Sequence, residues 1–87
     1  RKKLISNREY TVTQLNNRNF YPMPSSANFL IFELPKTADP NQFLNRMYNQ
    51  KVSIKVMHFW NRNWCRVSIG TKKNMETFLY AFDKALI

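Results

Sequence analysis

The distribution of apolar residues predicts two strands of different character in the first two thirds of the chain. Residues 28–34, NFLIFEL, form a nearly continuous apolar run closed by a proline. Such a run predicts a strand covered on both faces and therefore placed centrally in a sheet. Residues 52–60, VSIKVMHFW, alternate instead, which predicts one core-facing side and one side that carries Lys55. The apolar side of this second strand consists of Val52, Ile54 and Val56.

A third strand follows a polar turn predicted at residues 61–63. Its alternation places Cys65, Val67 and Ile69 on one face. Trp64, Arg66 and Ser68 lie on the other face. Arg66 stands out because no acidic residue occurs between Asp39 and Glu76. A buried arginine without a partner is costly, so this side chain must either meet an anion or reach water.

Residues 1–17 carry apolar positions at loosely helical spacing and predict a first helix. Ser6 and Glu9 have the spacing of a capping pair. The asparagines that follow, Asn19 among them, can adopt the left-handed conformation that ends a helix in the absence of glycine. Residues 21–26, YPMPSS, then predict an extended connector, because proline removes a backbone donor and disfavours helix before it.

Two further helices have clear starting signals. Asp39 as N-cap, Pro40 at the first helical position and Gln42 at the third predict the second helix. Its apolar stripe is Phe43, Leu44, Met47 and Tyr48. Gly70 ends the third strand, and Thr71 is the predicted cap of the last helix. The stripe of that helix is Met75, Phe78, Leu79, Phe82 and Leu86.

The resulting order, α-β-α-β-β-α, predicts an α/β (α+β) two-layer sandwich with a three-stranded sheet. With 87 residues and 44% hydrophobic content, the chain is long enough for one domain, residues 1–87, with a modest core. The first residue is Arg1, so we expect a piece of a longer protein. Apolar runs fall well short of the roughly 20 residues of a membrane span, which predicts no membrane partner.

The composition excludes several kinds of site. One cysteine and one histidine cannot supply a structural zinc centre, so no metal is expected. A single glycine leaves no glycine-rich phosphate loop, and no serine–histidine–acid or paired-carboxylate arrangement can be assembled. Cys65 alternates onto the apolar face as a core residue, and a lone His58 at a strand end is more often structural than catalytic. We therefore expect no catalytic residue in this chain.

The net charge of +9 favours an anionic partner, although a basic piece of a more balanced protein would show the same excess. Lys55, Arg62 and Arg66 are positioned to converge on one face, with Phe59, Trp60 and Trp64 nearby. This combination suits a phosphate or carboxylate, a single-stranded nucleic acid, or simply a solvated basic face. For Arg66 alone, a purely structural interpretation is also open. In that case it lies in an edge strand and its side chain extends over Trp64 to solvent.

Three segments in this order carry a family resemblance: PSSANFLIFEL, FLNRMYNQKVSIKVM, and WCRVSIGT followed by an amphipathic helix. They resemble the C-terminal small domain of the pyridoxal-phosphate-dependent, fold-type I (class I/II) aminotransferases, in particular the histidinol-phosphate aminotransferase group. The resemblance implies that Arg66 binds the carboxylate of the substrate. A guanidinium suits that task because it can donate two parallel hydrogen bonds. Many members of the group carry an arginine where this chain has Lys55. The resemblance therefore implies that Lys55 contacts the far end of the substrate, with the charge of an arginine but without its two parallel hydrogen bonds.

The resemblance also implies partners outside the chain. Pyridoxal phosphate is expected in the full-length protein, bound by a large domain of the same chain, and no cofactor is expected on these 87 residues alone. The full-length protein would transfer an amino group between an amino acid or amino phosphate and a 2-oxo acid, as a cytoplasmic homodimer. The isolated piece is expected to be monomeric and inactive. The alternatives are a basic nucleic-acid-binding module, which lacks the order of an RNA-recognition motif, and a non-catalytic interaction domain.

Overall fold

A computed structural model describes residues 2–23, 28–47 and 53–86 of the chain. The elements are α1 (Lys2–Asn17), β1 (Phe29–Glu33), α2 (Pro40–Arg46), β2 (Ile54–Phe59), β3 (Arg62–Ser68) and α3 (Lys72–Ala85). Their order and the single three-stranded sheet confirm the predicted two-layer α/β sandwich. The predictions for Tyr48 and Val52, and for the second half of the connector at residues 21–26, lie outside the described residues.

The strand order is β1-β3-β2, and both pairs are antiparallel. The prediction that β1 is the central strand is therefore wrong, because β3 occupies the centre. Within β1, only Leu30 and Phe32 are buried, whereas Phe29, Ile31 and Glu33 are half-buried. The apolar run misled the prediction because two of its large residues belong to the less covered face of an edge strand.

A two-residue turn at Trp60 and Asn61 joins β2 to β3. Both residues have positive φ, 54° and 58° respectively, as expected for a tight hairpin whose twist matches its strands. The predicted turn at residues 61–63 was placed too late, since Arg62 and Asn63 already belong to β3. Asparagine favours this conformation and tryptophan does not, so the sequence signal pointed to only half of the turn.

Side-chain caps fix the helix starts. The Asp39 carboxylate accepts hydrogen bonds from the amides of Asn41 and Gln42, and Thr71 Oγ1 accepts one from the amide of Asn74. Both predicted caps are confirmed, as is the left-handed Asn19 after α1, with a φ of 66°. The predicted capping pair at Ser6 and Glu9 is wrong, because α1 runs without interruption through both positions.

The core lies between the helices and one face of the sheet. Its centre is Phe82 of α3, whose ring packs edge-on against Phe20, Phe32 and Phe43 at centroid distances of 5.0, 5.6 and 6.0 Å. Edge-on aromatic pairs contribute about 0.5–1.5 kcal/mol each beyond the area they bury. Phe82 therefore links the segment after α1, the sheet and α2 to the last helix.

The opposite side of the sheet has a different composition. The strand residues whose side chains alternate away from the core form the open face: Phe29, Ile31, Glu33, Lys55, Met57, Phe59, Arg62, Trp64, Arg66 and Ser68. Leu15, Phe43 and Phe82, one from each helix, all join the core cluster on the other side. Among the described residues, no helix is long and apolar enough to cross a membrane.

An ion pair joins the ends of α1 and α3. Arg18 donates from Nε and Nη2 to the two carboxylate oxygens of Asp83, at 2.6 and 2.9 Å, and from Nη1 to the carbonyl of Gln14. The hydrogen bond from Arg18 lowers the pKa of Asp83 below its ordinary 3.8. Because both side chains are partly exposed, solvent screening limits the contribution of this pair to stability.

Replacing Asp83 by asparagine is expected to lower the free energy of unfolding by about 0.5–1 kcal/mol at neutral pH. A carboxyl with a lowered folded-state pKa stabilises the fold above its unfolded pKa and loses that effect as pH falls through the folded value. The difference between the chain and Asp83→Asn should therefore be full at neutral pH and shrink as the pH falls below 3.8, the ordinary pKa of the carboxyl. Urea unfolding over this range measures it, with Glu76→Gln, an exposed carboxyl on the same helix, as the control. A difference that persists at the lowest pH would contradict the assignment.

Candidate anion-binding site

The centre of the open face carries two cations side by side. Arg66 and Lys55 are direct cross-strand partners in the β2–β3 pair, and Ile31 is the partner of Arg66 on β1. Residues opposite each other in antiparallel strands point to the same side of the sheet, at Cβ separations of about 4.5–5.5 Å. The structure thus brings the two predicted site residues together, on the face predicted for them.

The surroundings of Arg66 are suited to the binding of an anion. It is half-buried, and its guanidinium carbon lies 5.1 Å from the centroid of the Phe29 ring. An aromatic face below and Ile31 beside it reduce access of water, which strengthens the attraction between a guanidinium and an anion. Arg66 also lies in the central strand, so the alternative of an edge-strand arginine extending to solvent does not describe its position.

Two ion pairs occur within the described residues, and neither involves Arg66. Arg18 pairs with Asp83, and Arg62 Nη1 lies 3.3 Å from Glu33 Oε1. Arg62 thus shares the open face with Arg66 and Lys55, as predicted, but it already has a carboxylate partner.

Sequence reasoning missed Glu33 and Phe29 as neighbours of these cations. The alternation of β1 places Phe29 and Glu33 on the same side of their strand. It could not identify them as neighbours of the arginines without knowledge that β1 pairs with β3.

The predicted aromatic residues form a cluster at the hairpin end of the open face. The rings of Phe59 and Trp64 are stacked, with centroids 5.0 Å apart and planes 4° from parallel, and Trp60 packs edge-on against both. Trp64 Nε1 donates to the carbonyl of Phe59, and only 8% of Trp64 is exposed. Because Phe59 covers the indole, Trp64 does not offer a free face for a nucleic-acid base to stack on.

The two remaining candidates, His58 and Cys65, lie on the side of the sheet opposite to Arg66. His58 is exposed near the hairpin, with Nδ1 2.9 Å from Asn63 Oδ1, and it does not share the face of Arg66. Cys65 is fully buried in the core cluster, as predicted. Burial raises the pKa of the Cys65 thiol to about 12, so the nucleophilic thiolate is scarce at neutral pH.

The part of the chain that the structure describes holds no group of three or more histidine, cysteine, aspartate or glutamate side chains able to bind a metal ion. The open face instead offers nitrogen donors with positive charge. A guanidinium can bind a carboxylate or phosphate through two parallel hydrogen bonds, and an ammonium adds a point charge beside it. The site is therefore suited to binding and orienting an anion.

Comparison with known proteins gives a consistent result. Residues 1–82 match the sequence model of a family described as aminotransferase class I and II. A histidinol-phosphate aminotransferase of Clostridium botulinum (strain Hall) is 32% identical over 88 residues, which cover 97% of this chain and 24% of that protein. Histidinol-phosphate aminotransferase 3 of Mesorhizobium japonicum is 35% identical over 71 residues, covering 80% of this chain and 19% of that protein.

A solved structure shows the same similarity in three dimensions. A protein from Erwinia carotovora atroseptica, described as a histidinol-phosphate aminotransferase, matches with a TM-score of 0.70 and 25% identity. The match covers 98% of this chain and 23% of that protein. The chain thus spans about a quarter of the length of the relatives it matches.

The burial of Cys65 predicts a thiol that is inert in the folded chain. At about pH 8, a thiol reagent such as dithionitrobenzoate should react with it only as fast as the fold opens, and at once in denaturant. The rate of thionitrobenzoate release measures this. A double variant, Cys65→Ala with Ser68→Cys, moves the thiol to the half-buried open face and should react rapidly without denaturant. Equal rates for the two proteins would show that Cys65 is not protected.

Proposed function

The chain belongs to the aminotransferase class I and II family, and we propose that it is the C-terminal small domain, residues 1–87, of a longer aminotransferase in which Arg66 binds the substrate carboxylate. The observation that carries this proposal is the position of Arg66. It is half-buried on the central strand, over the Phe29 ring, with Lys55 opposite and no ion pair to the described residues. A substrate carboxylate supplies the missing counter-charge.

Arg66 acts by fixing the orientation of the substrate. Two parallel hydrogen bonds to a carboxylate restrain both its position and its rotation, which directs the neighbouring Cα–H bond. The strand β3 that carries Arg66 is paired with β1 along one edge and with β2 along the other. The orientation of the bound anion is thus set by a rigid element, and less conformational entropy is lost on binding.

Lys55 extends the site toward a second negative group. The substrate class we propose is an amino acid or amino phosphate, which exchanges its amino group with a 2-oxo acid. Lys55 is exposed and directly opposite Arg66, so it can reach an anion at the far end of a bound molecule. An ammonium is a compact charge without the planar fork of a guanidinium, and it therefore accepts anions of varied geometry.

Pyridoxal phosphate belongs to this function, since the family generally depends on it. Lys55 is exposed on the open face, and Met57 and Ser53, two positions away from it on either side, add no further positive charge for a cofactor phosphate. We place the cofactor in a large domain of the same chain, outside these 87 residues. The isolated small domain is then a monomer without activity, and the full-length protein is a cytoplasmic homodimer.

Arg66→Ala in the full-length parent protein is expected to lower kcat/KM for its amino-acid substrate about 10²–10³-fold, the loss of a bidentate charge-assisted contact. Arg66→Lys should recover part of this loss, and cofactor absorbance should be unchanged in both variants. Lys84→Ala, which removes a cation on the exposed side of α3, is the control. Normal turnover by Arg66→Ala would contradict the role of Arg66 in substrate binding. Absence of bound cofactor in the parent protein would contradict its assignment as an aminotransferase.

Lys55→Met in the same protein is expected to discriminate between substrates. For a donor with a second anionic group, such as L-glutamate, kcat/KM should fall about fivefold, the effect of one exposed charge contact of about 1 kcal/mol. For a donor with a neutral side chain, such as L-leucine, it should change less than about twofold. Steady-state kinetics with both donors measure this. Equal losses for the two donors would assign Lys55 a role other than contact with the far end of the substrate.

The described residues favour the nucleic-acid-binding alternative less, although Trp60 at the hairpin is 76% exposed. Its support was the positive charge and the interleaved aromatic residues, but Trp64 is covered by Phe59, and Arg62 is paired with Glu33. A salt-sensitive gel shift with single-stranded RNA would be needed to revive it.

A further inference from the structure

We propose that Arg62 is a positioning residue: it holds Glu33 away from Arg66 and so keeps the Arg66 guanidinium available to a substrate carboxylate. This inference rests on the proposed role of Arg66. It concerns the single acidic side chain on the open face of the described strands, Glu33, which is chemically a carboxylate like the group that Arg66 is proposed to bind.

The strand register places Glu33 between two arginines. Its direct partner on β3 is Trp64, and Arg62 and Arg66 are the residues two positions before and after Trp64. Both arginines are therefore diagonal neighbours of Glu33, at distances of about 7–8 Å that long side chains can span. In the structure the carboxylate is turned toward Arg62, with Nη1 and Oε1 3.3 Å apart.

The alternative partner would compete with substrate. Arg66 is half-buried against Phe29, whereas 54% of the Arg62 side chain is exposed. Once Arg62 is removed, Arg66 is the arginine of β3 that remains within diagonal reach of the Glu33 carboxylate. Without Arg62, Glu33 therefore pairs with Arg66. A tethered carboxylate acts at an effective concentration on the order of millimolar, which is comparable with the KM of many enzymes for their substrates.

The pairing of Arg62 with Glu33 has little value for stability alone. Ion pairs exposed to this degree contribute only a few tenths of a kcal/mol to about 1 kcal/mol. Its main consequence is the direction of the Glu33 side chain. The functional effect of Arg62 should accordingly appear in substrate binding and depend on the presence of Glu33.

The test is a double-mutant cycle in the full-length parent protein, with L-glutamate as the probe. Arg62→Met is expected to raise the KM about tenfold and to change kcat less than about twofold, since the introduced competitor acts on the free enzyme. Glu33→Gln alone should leave the KM the same or slightly lower. The double variant should return to within about twofold of Glu33→Gln, because the competing carboxylate is gone.

A second measurement does not depend on turnover. Phenylglyoxal modifies accessible guanidinium groups, and peptide mass spectrometry of the parent protein gives the rate at Arg66. Arg62→Met should slow this modification severalfold, and Glu33→Gln in the same protein should restore it. Failure of Arg66 to react in the unaltered protein would contradict the availability that the proposal requires. Lys84→Met, an exposed cation on α3, controls for the loss of one positive charge and should change neither readout.

The outcomes separate this proposal from the role of Arg66. If Arg66→Ala weakens L-glutamate turnover but Arg62→Met does not, Arg66 retains its role and the positioning role of Arg62 is wrong. If Arg62→Met raises the KM and the double variant stays equally weak, Arg62 acts without Glu33, and the proposal is also wrong. If Arg66→Ala has no effect on turnover, the proposed function itself fails, whatever Arg62→Met does.

Discussion

The packing around Phe82 is the constraint on which the remaining structure depends. Its ring contacts Phe20, Phe32, Phe43 and Phe78, and so joins every layer of the fold at one point. Once this cluster holds the helices against one side of the sheet, the opposite side is left without a helix from the described chain. Polar and charged side chains can occupy that side without the cost of full burial. The location of the candidate anion site follows from where the aromatic rings pack.

The central position of β3 places Arg66 in the middle of the open face, at the candidate binding surface. Each alternate residue of β3 serves one side of the sheet, so Cys65 fills the core while Arg66 lies on the open face. A strand paired on both edges loses little further freedom when a ligand binds, which favours a well-oriented guanidinium. The aromatic pair of Phe59 and Trp64 stabilises the hairpin end of the same strand without occupying the cation pair.

Local signals in the sequence predicted the elements and the family, and nonlocal pairing limited the rest. Caps at Asp39 and Thr71 depend on neighbours in sequence, and both were confirmed. The strand order depends on which strands pair, and the apolar run of β1 reads the same at an edge as at the centre. The alternation of residues along each strand predicted that Arg66 and Lys55 point away from the core. The register of β2 and β3 confirms that they lie side by side. The partnership of Arg62 and Glu33 required the β1–β3 pairing and was missed.

The two-residue turn at Trp60 and Asn61 has a consequence for how this chain can vary during evolution. Side chains alternate with a period of two, so inserting or deleting one residue within β3 would exchange its faces and bring Arg66 into the core and Cys65 to the surface. Length changes near this hairpin are tolerable only where the strand phase is preserved, which restricts them to the turn itself or to pairs of residues. Homologous chains that keep the arginine should therefore conserve the spacing between the hairpin and Gly70 more strictly than the identity of the residues in between.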